Sequence, residues 1–204
     1  MARKRSATRL LDEYGRTYAA EAGIRLQDKP SPLYQLLVLT TLMSARIRAD
    51  IAVTAARELF QAGWRTPQAM VKSTWQQRVD ALGRGGYARY DESTARYLES
   101  GARLLMDKYQ GDLRKIRAAA GSDLATLRRR LKEFPRVGDV GADIFCREVQ
   151  VVWPELRPYF DRRARDGAKR IGLPTDSRRL AGAVGEDDLG RLAAALVRVQ
   201  LEMK

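Results

Sequence analysis

The stretch from Leu124 to Pro174, LATLRRRLKEFPRVGDVGADIFCREVQVVWPELRPYFDRRARDGAKRIGLP, decides the fold. A basic amphipathic segment ends at Phe134-Pro135-Arg136-Val137-Gly138, a second helical pattern follows, and a lone acid, Asp161, opens a third. Proline donates no backbone hydrogen bond and fixes its own φ, while glycine tolerates tight approach, so Pro135 and Gly138 predict a short hairpin between two helices. The first N–H groups of the second helix have no carbonyl one turn behind them. With the positive end of the helix dipole at their back, they suit a phosphate without reading any base.

Outward from the hairpin, apolar positions return at three- and four-residue spacing with Gly or Pro between the runs, which predicts an all-α protein. Upstream, the expected helices run from Ala7 to Ala22, Pro32 to Ala45, Asp50 to Gln61, Thr74 to Leu82, Asp91 to Tyr109 and Asp112 to Ala119. Thr66-Pro67 caps a further short one, Gly83-Arg84-Gly85-Gly86 reads as a flexible turn, and Ser122 reads as the cap of the helix entering the hairpin. Downstream, two prolines and a tryptophan between Val151 and Tyr159 force the chain out of helical geometry and mark a domain crossing. The last helices are expected at Ser177 to Val184 and Glu186 to Met203, the latter with Leu192, Leu196, Val199 and Met203 on one face.

Composition narrows the function. The 204 residues suffice to bury roughly 70 % of the unfolded surface. With 38 Lys and Arg against 25 Asp and Glu, the formal charge is +13, which points to a polyanionic partner or, on charge alone, to a well-solvated surface. The absence of histidine removes His-based metal sites, Ser-His-Asp triads and imidazole acid–base chemistry. A single cysteine, Cys146, on an apolar helix reads as a core residue and fits a reducing compartment. The basic start Met1 to Arg5 lacks the apolar stretch of an export signal, and the longest apolar run, Leu33 to Met43, is about half the ~20 residues that span a bilayer. A cytoplasmic protein, associated with the nucleoid if bacterial, with no membrane partner, is expected.

Three motifs in chain order resemble the helix-hairpin-helix DNA glycosylases, specifically the endonuclease III branch. Phe134-Pro135-Arg136-Val137-Gly138-Asp139-Val140-Gly141-Ala142 is similar to that family's apolar-Pro-Gly-Val-Gly hairpin and the segment after it. Asp161-Arg162-Arg163 through Arg170-Ile171-Gly172-Leu173 resembles its catalytic Asp and the Arg-Leu-Gly-Leu that follows, and Leu42-Met43-Ser44-Ala45-Arg46 through Asp50 resembles its Leu-Leu-Ser-Ala-Gln segment. The likeness runs from about Pro32 to Pro174. It implies a two-lobed all-α fold with a central helical barrel at 31–150 and a second lobe formed by 1–30 and 151–204, gripping double-stranded DNA with a damaged base extruded between the lobes. A monomer is expected. Relatives carry four cysteines around an iron–sulfur cluster near the C-terminus; with Cys146 alone, no cluster, metal or other cofactor is expected.

The resemblance assigns roles residue by residue. Asp161 would oppose the cationic sugar formed as the base departs, and on spacing alone it is also a helix cap. Val140 stands where bifunctional relatives carry the lysine that forms an imine with the sugar; valine has no amine, so base release by hydrolysis alone is implied. Arg136 replaces a hairpin glycine, and if the position needs positive φ it costs roughly 1–2 kcal/mol, which a phosphate contact would offset. Arg46 replaces a glutamine that helps fill the gap left by an everted nucleotide, or is an ordinary exposed arginine. Tyr87 lies where relatives place an apolar wedge, or is a core tyrosine. Thr41 lacks the acid that adenine removal uses. Arg128-Arg129-Arg130 and Lys132 either follow the phosphate backbone or are solvated. The DNA-contacting set is therefore Arg46, Tyr87, Pro135, Arg136, Val137, Gly138 and Val140, with Asp161 catalytic. The alternative is a non-catalytic relative that binds damaged or bent DNA.

Overall fold

The structure, a computed structural model, describes residues 2–202, and among these the ordered elements are all helical. From the amino end they are α1 (Ala2–Tyr14), α2 (Tyr18–Glu21), α3 (Pro30–Met43), α4 (Ala49–Gln61), α5 (Pro67–Lys72), α6 (Trp75–Arg84) and α7 (Asp91–Tyr109). Then follow α8 (Arg114–Ala120), α9 (Leu124–Leu131), α10 (Asp139–Val149), α11 (Arg162–Arg170), α12 (Ser177–Ala181) and α13 (Leu189–Glu202), with single 3-10 turns at Pro154–Leu156 and Glu186–Asp188. No helix among the described residues is long and apolar enough to cross a membrane. Met203, expected on the last helix, lies outside the described residues.

The chain divides into two compact units, one spanning 22–145 and the other joining the chain up to 21 with the chain from 146 onward. The expected divisions were at 30/31 and 150/151. The first moves because Asp28 pairs with Arg117 at 2.7 Å, which ties the segment after α2 to α8. The second moves because Arg147, Glu148 and Gln150, near the end of α10, direct their side chains to residues 161, 18–19 and 159.

In the unit of residues 22–145, α3 is the buried helix that its apolar run predicts, with Leu33, Leu36 and Leu39 fully inaccessible. It packs on α4 and α7. Thr66 caps α5 by accepting the Ala69 N–H at 3.2 Å, and Thr74 with Gln77 forms a reciprocal capping box on α6. The glycine run after Leu82 turns only in its second half: α6 continues through Arg84, the chain turns at Gly85 and Gly86 (φ +77°), and a Cβ on Gly85 would lie 2.4 Å from the Ala55 Cα, so glycine lets α6 approach α4. Arg78, fully buried, donates to the carbonyls of Ala95, Met70 and Ser73 and pairs with Glu99, stitching α5, α6 and α7. Asp123, not Ser122, caps α9 by accepting from the Ala125 and Thr126 amides.

In the other unit, α13 is the central helix and packs on α1 and α11. Gly167 of α11 sits so close to α13 that a Cβ there would fall 1.9 Å from the Leu196 carbonyl oxygen. The expected helix from Ala7 to Ala22 is broken into α1 and α2. The break falls at Gly15, where a Cβ would lie 2.3 Å from the Leu11 carbonyl oxygen.

Candidate functional site

The hairpin joins α9 to α10 within the unit of residues 22–145. The Val137 N–H donates to the Phe134 carbonyl at 3.1 Å and closes the turn, and the Ala142 N–H donates to the Gly138 carbonyl at 2.9 Å as the first bond of the α10 ladder. The N–H groups of Asp139, Val140 and Gly141 precede that ladder. Phe134 and Val137 anchor the hairpin in the core, with the Phe134 ring stacked on Tyr109 at 6.4 Å between centroids. Gly101 of α7 faces the hairpin, where a Cβ would be in ordinary contact with Pro135 Cδ at 3.8 Å and Phe134 Cδ1 at 3.9 Å. Gly141 admits the end of α3: a Cβ would come within 2.6 Å of Ser44 Oγ. Gly138 and Val140 are exposed, Pro135 is half-buried, and nothing lies within 4 Å of where a Gly138 Cβ would stand.

Arg136 adopts φ +71°, the left-handed conformation that its glycine-like position calls for. The strain is met from within the protein, for its guanidinium carbon lies 5.8 Å from the centre of the Tyr90 ring and 5.6 Å from that of Tyr97.

Charge at the head of α10 is more mixed than the basic run suggests. Asp139 accepts from Lys132 Nζ at 2.8 Å and lies 3.5 Å from Arg128, which also pairs with Asp143. The Lys132 ammonium, foremost, holds the Asp139 carboxyl below the usual range. Arg129 is exposed and donates to Thr126 Oγ1, and Arg130 is half-buried. Arg46 is exposed in the turn after α3. Tyr87 is corrected: it is inaccessible, and its hydroxyl donates to the Leu42 carbonyl at 2.8 Å, so it is a core tyrosine with no ring edge to offer DNA. Thr41 is buried and donates to the Leu37 carbonyl.

Asp161 belongs to the other unit. It caps α11, Oδ1 accepting the Ala164 N–H at 2.9 Å, as its place before Arg162 predicts. Its second oxygen is also engaged: Oδ2 accepts from Arg147 Nη1 at 2.6 Å, and the two side chains are only 3 % and 2 % exposed. Beside Arg147, the Glu148 carboxylate accepts the N–H groups of Tyr18 and Ala19, and burial pushes its pKa up in spite of the neighbouring arginines. The Gln150 carboxamide pairs with both backbone groups of Tyr159, at 2.9 Å each, and so fixes the segment that delivers Asp161.

Arg147 and the Tyr90–Tyr97 pair were not singled out from sequence. A signal for Arg147 existed: an adjacent Arg147-Glu148 pair inside Ile144-Phe145-Cys146 and Val149 is out of character for an apolar helix face and requires partners. Among the described residues no group of three or more His, Cys, Asp or Glu is arranged to hold a metal ion.

No protein-family model matches the chain, nor does any curated protein sequence significantly. Two solved structures do. One is endonuclease III trapped as a covalent intermediate with DNA, an estranged-adenine complex; it has 20 % identity and a TM-score of 0.51 over 96 % of this chain and 84 % of that one. The other is a non-covalent endonuclease III–DNA complex, with 19 % identity and a TM-score of 0.52 over the same shares. The all-α helix-hairpin-helix glycosylase fold expected from the three motifs is thus the fold of this chain.

Proposed function

We propose that this protein, on the endonuclease III fold, grips duplex DNA through the hairpin and acts as a monofunctional glycosylase that extrudes a damaged base and hydrolyses its N-glycosidic bond. The observation that carries the reading is Asp161, a buried carboxylate fixed at the head of α11 on that fold. Bond cleavage leaves positive charge on the sugar, and a carboxylate held in place opposes that charge without reorganising. The free amides at the start of α10 and the open surface at Gly138 suit a phosphate. Val140 supplies no amine for an imine, so release is by hydrolysis.

A second reading is a non-catalytic protein of the same fold that binds bent or damaged DNA. The Arg147–Asp161 pair favours it, because a guanidinium 2.6 Å away neutralises the charge that the sugar would need. Duplexes bearing single lesions, incubated with the protein and then treated with hot alkali, separate the two. Breaks only after alkali, lost in Asp161→Asn under conditions where that variant is folded, support hydrolysis. Tight salt-dependent binding with no breaks across a broad lesion panel supports binding alone, and borohydride-trapped strand cleavage contradicts the role given to Val140. With about five phosphate contacts, log affinity falls against log salt with a slope of about −4 to −5.

A further inference from the structure

Arg136 belongs to a strip of stacked side chains that continues away from the hairpin. Tyr90, immediately before α7, and Tyr97, two turns along it, share a helix face, and the Arg136 guanidinium lies within reach of both rings. Arg89 stands 5.3 Å over Tyr90, and Arg96 stands 5.6 Å over Trp75, whose indole N–H donates to the Glu92 carbonyl. None of these rings is consumed by the core: Tyr90 and Tyr97 are part-exposed and Trp75 is 36 % exposed. Arg89, Arg96 and Arg136 are all exposed. The acids nearby, Asp91 and Glu92, sit in the first turn of α7, where they complement its dipole, and Glu92 lies 3.9 Å from Arg96.

Rings alternating with guanidinium groups are poorly suited to an apolar partner, since each ring already has a charge beside it. They suit a flat, electron-rich ligand that carries negative charge. We propose that the Tyr90–Tyr97–Trp75 strip is a stacking platform for unpaired nucleobases of a DNA strand, with base faces meeting rings and guanidinium planes and Arg89, Arg96 and Arg136 meeting phosphates. Every base has a π face, so the platform is indifferent to sequence. The inference rests on the reading that the hairpin holds DNA, and it adds a second contact to that grip, one that needs bases rather than phosphates.

The test compares a labelled oligothymidylate with an oligomer of the same length built from abasic tetrahydrofuran sites, by fluorescence anisotropy at fixed salt. The two carry equal charge and differ in bases alone. Oligothymidylate binds at least about fivefold tighter, the factor that one stacked base gives at the low end of the known range. Tyr90→Leu closes that gap and Tyr90→Phe keeps it, the gap being read as the ratio of the two affinities within each variant because Tyr90 also braces Arg136. Tryptophan fluorescence is quenched by oligothymidylate and not by the abasic strand, and the quenching is lost in Trp75→Phe, which retains Trp64 and Trp153. Equal affinity for the two oligomers, with duplex binding retained, overturns the platform and leaves the hairpin reading standing. Absence of binding to any DNA, duplex included, overturns both.

Discussion

Replacing Asp161 with asparagine perturbs stability before it perturbs chemistry. Asparagine keeps an oxygen to accept the Ala164 N–H, but its NH2 group then faces the Arg147 guanidinium across 2.6 Å, donor against donor. The arginine side chain is 2 % exposed and loses the carboxylate oxygen that met its Nη1. Breaking a buried pair from one side in this way costs about 3–5 kcal/mol. For 204 residues the melting entropy is roughly 0.4 kcal/mol/K, so the midpoint falls by about 7–12 °C. Far-UV circular dichroism melts of wild type, Asp161→Asn, Arg147→Met and the double variant read this directly. The double variant recovers a large part of the loss, giving a coupling of at least about 2 kcal/mol between the two positions. A single Asp161→Asn variant that melts within about 2 °C of wild type refutes the reasoning, because the pair would then be solvated rather than buried. Loss of base release in this variant is therefore interpretable only below its own melting range.

Asp139→Asn removes the carboxylate that occupies Lys132 and Arg128 at the head of α10, so duplex affinity rises about threefold and the salt slope steepens by about one unit, read by anisotropy across a salt series. Gly167→Ala drives a methyl group into the Leu196 carbonyl, so it costs upward of about 3 kcal/mol and lowers the melting midpoint by about 7 °C, whereas Gly138→Ala, with open space around it, leaves the midpoint within about 2 °C. The Arg103 guanidinium, with Arg78 beside it, holds the Glu99 carboxyl below its ordinary value of 4.5. A depressed carboxyl stabilises the fold above its unfolded value and loses that contribution as pH falls through the folded one. The stability gap between wild type and Glu99→Gln is thus flat near neutrality and closes in acid below 4.5, measured by urea melts at several pH values. A gap that persists at the acid end contradicts it.

What could be read from the sequence follows the range of the interactions concerned. The hairpin, the Thr66 cap, the full extent of α7 and the cap at Asp161 are set by residues within a few positions of one another, and each was legible. The break at Gly15 and the continuation of α6 through Arg84 were not, because helical spacing alone cannot tell a glycine that ends a helix from one that admits a neighbour. Ser122 and Asp123 are adjacent and both able to cap, and one residue of register decided between them. Tyr87 was misplaced because its hydroxyl finds the Leu42 carbonyl 45 positions away. Arg147 meets Asp161 across 14 positions and the whole Val151–Tyr159 excursion, so the engagement of the second carboxylate oxygen needed the three-dimensional structure.

The contact at Gly167 has a consequence for how this protein tolerates change. Main chain there rests on main chain, α11 against the Leu196 carbonyl, with no side chain between them to grow, shrink or rotate. At that point the spacing of the two helices is set by the thickness of the backbone and not by side-chain volume. Any side chain larger than hydrogen at residue 167 would push α11, and with it the helix whose first turn Asp161 caps, away from α13.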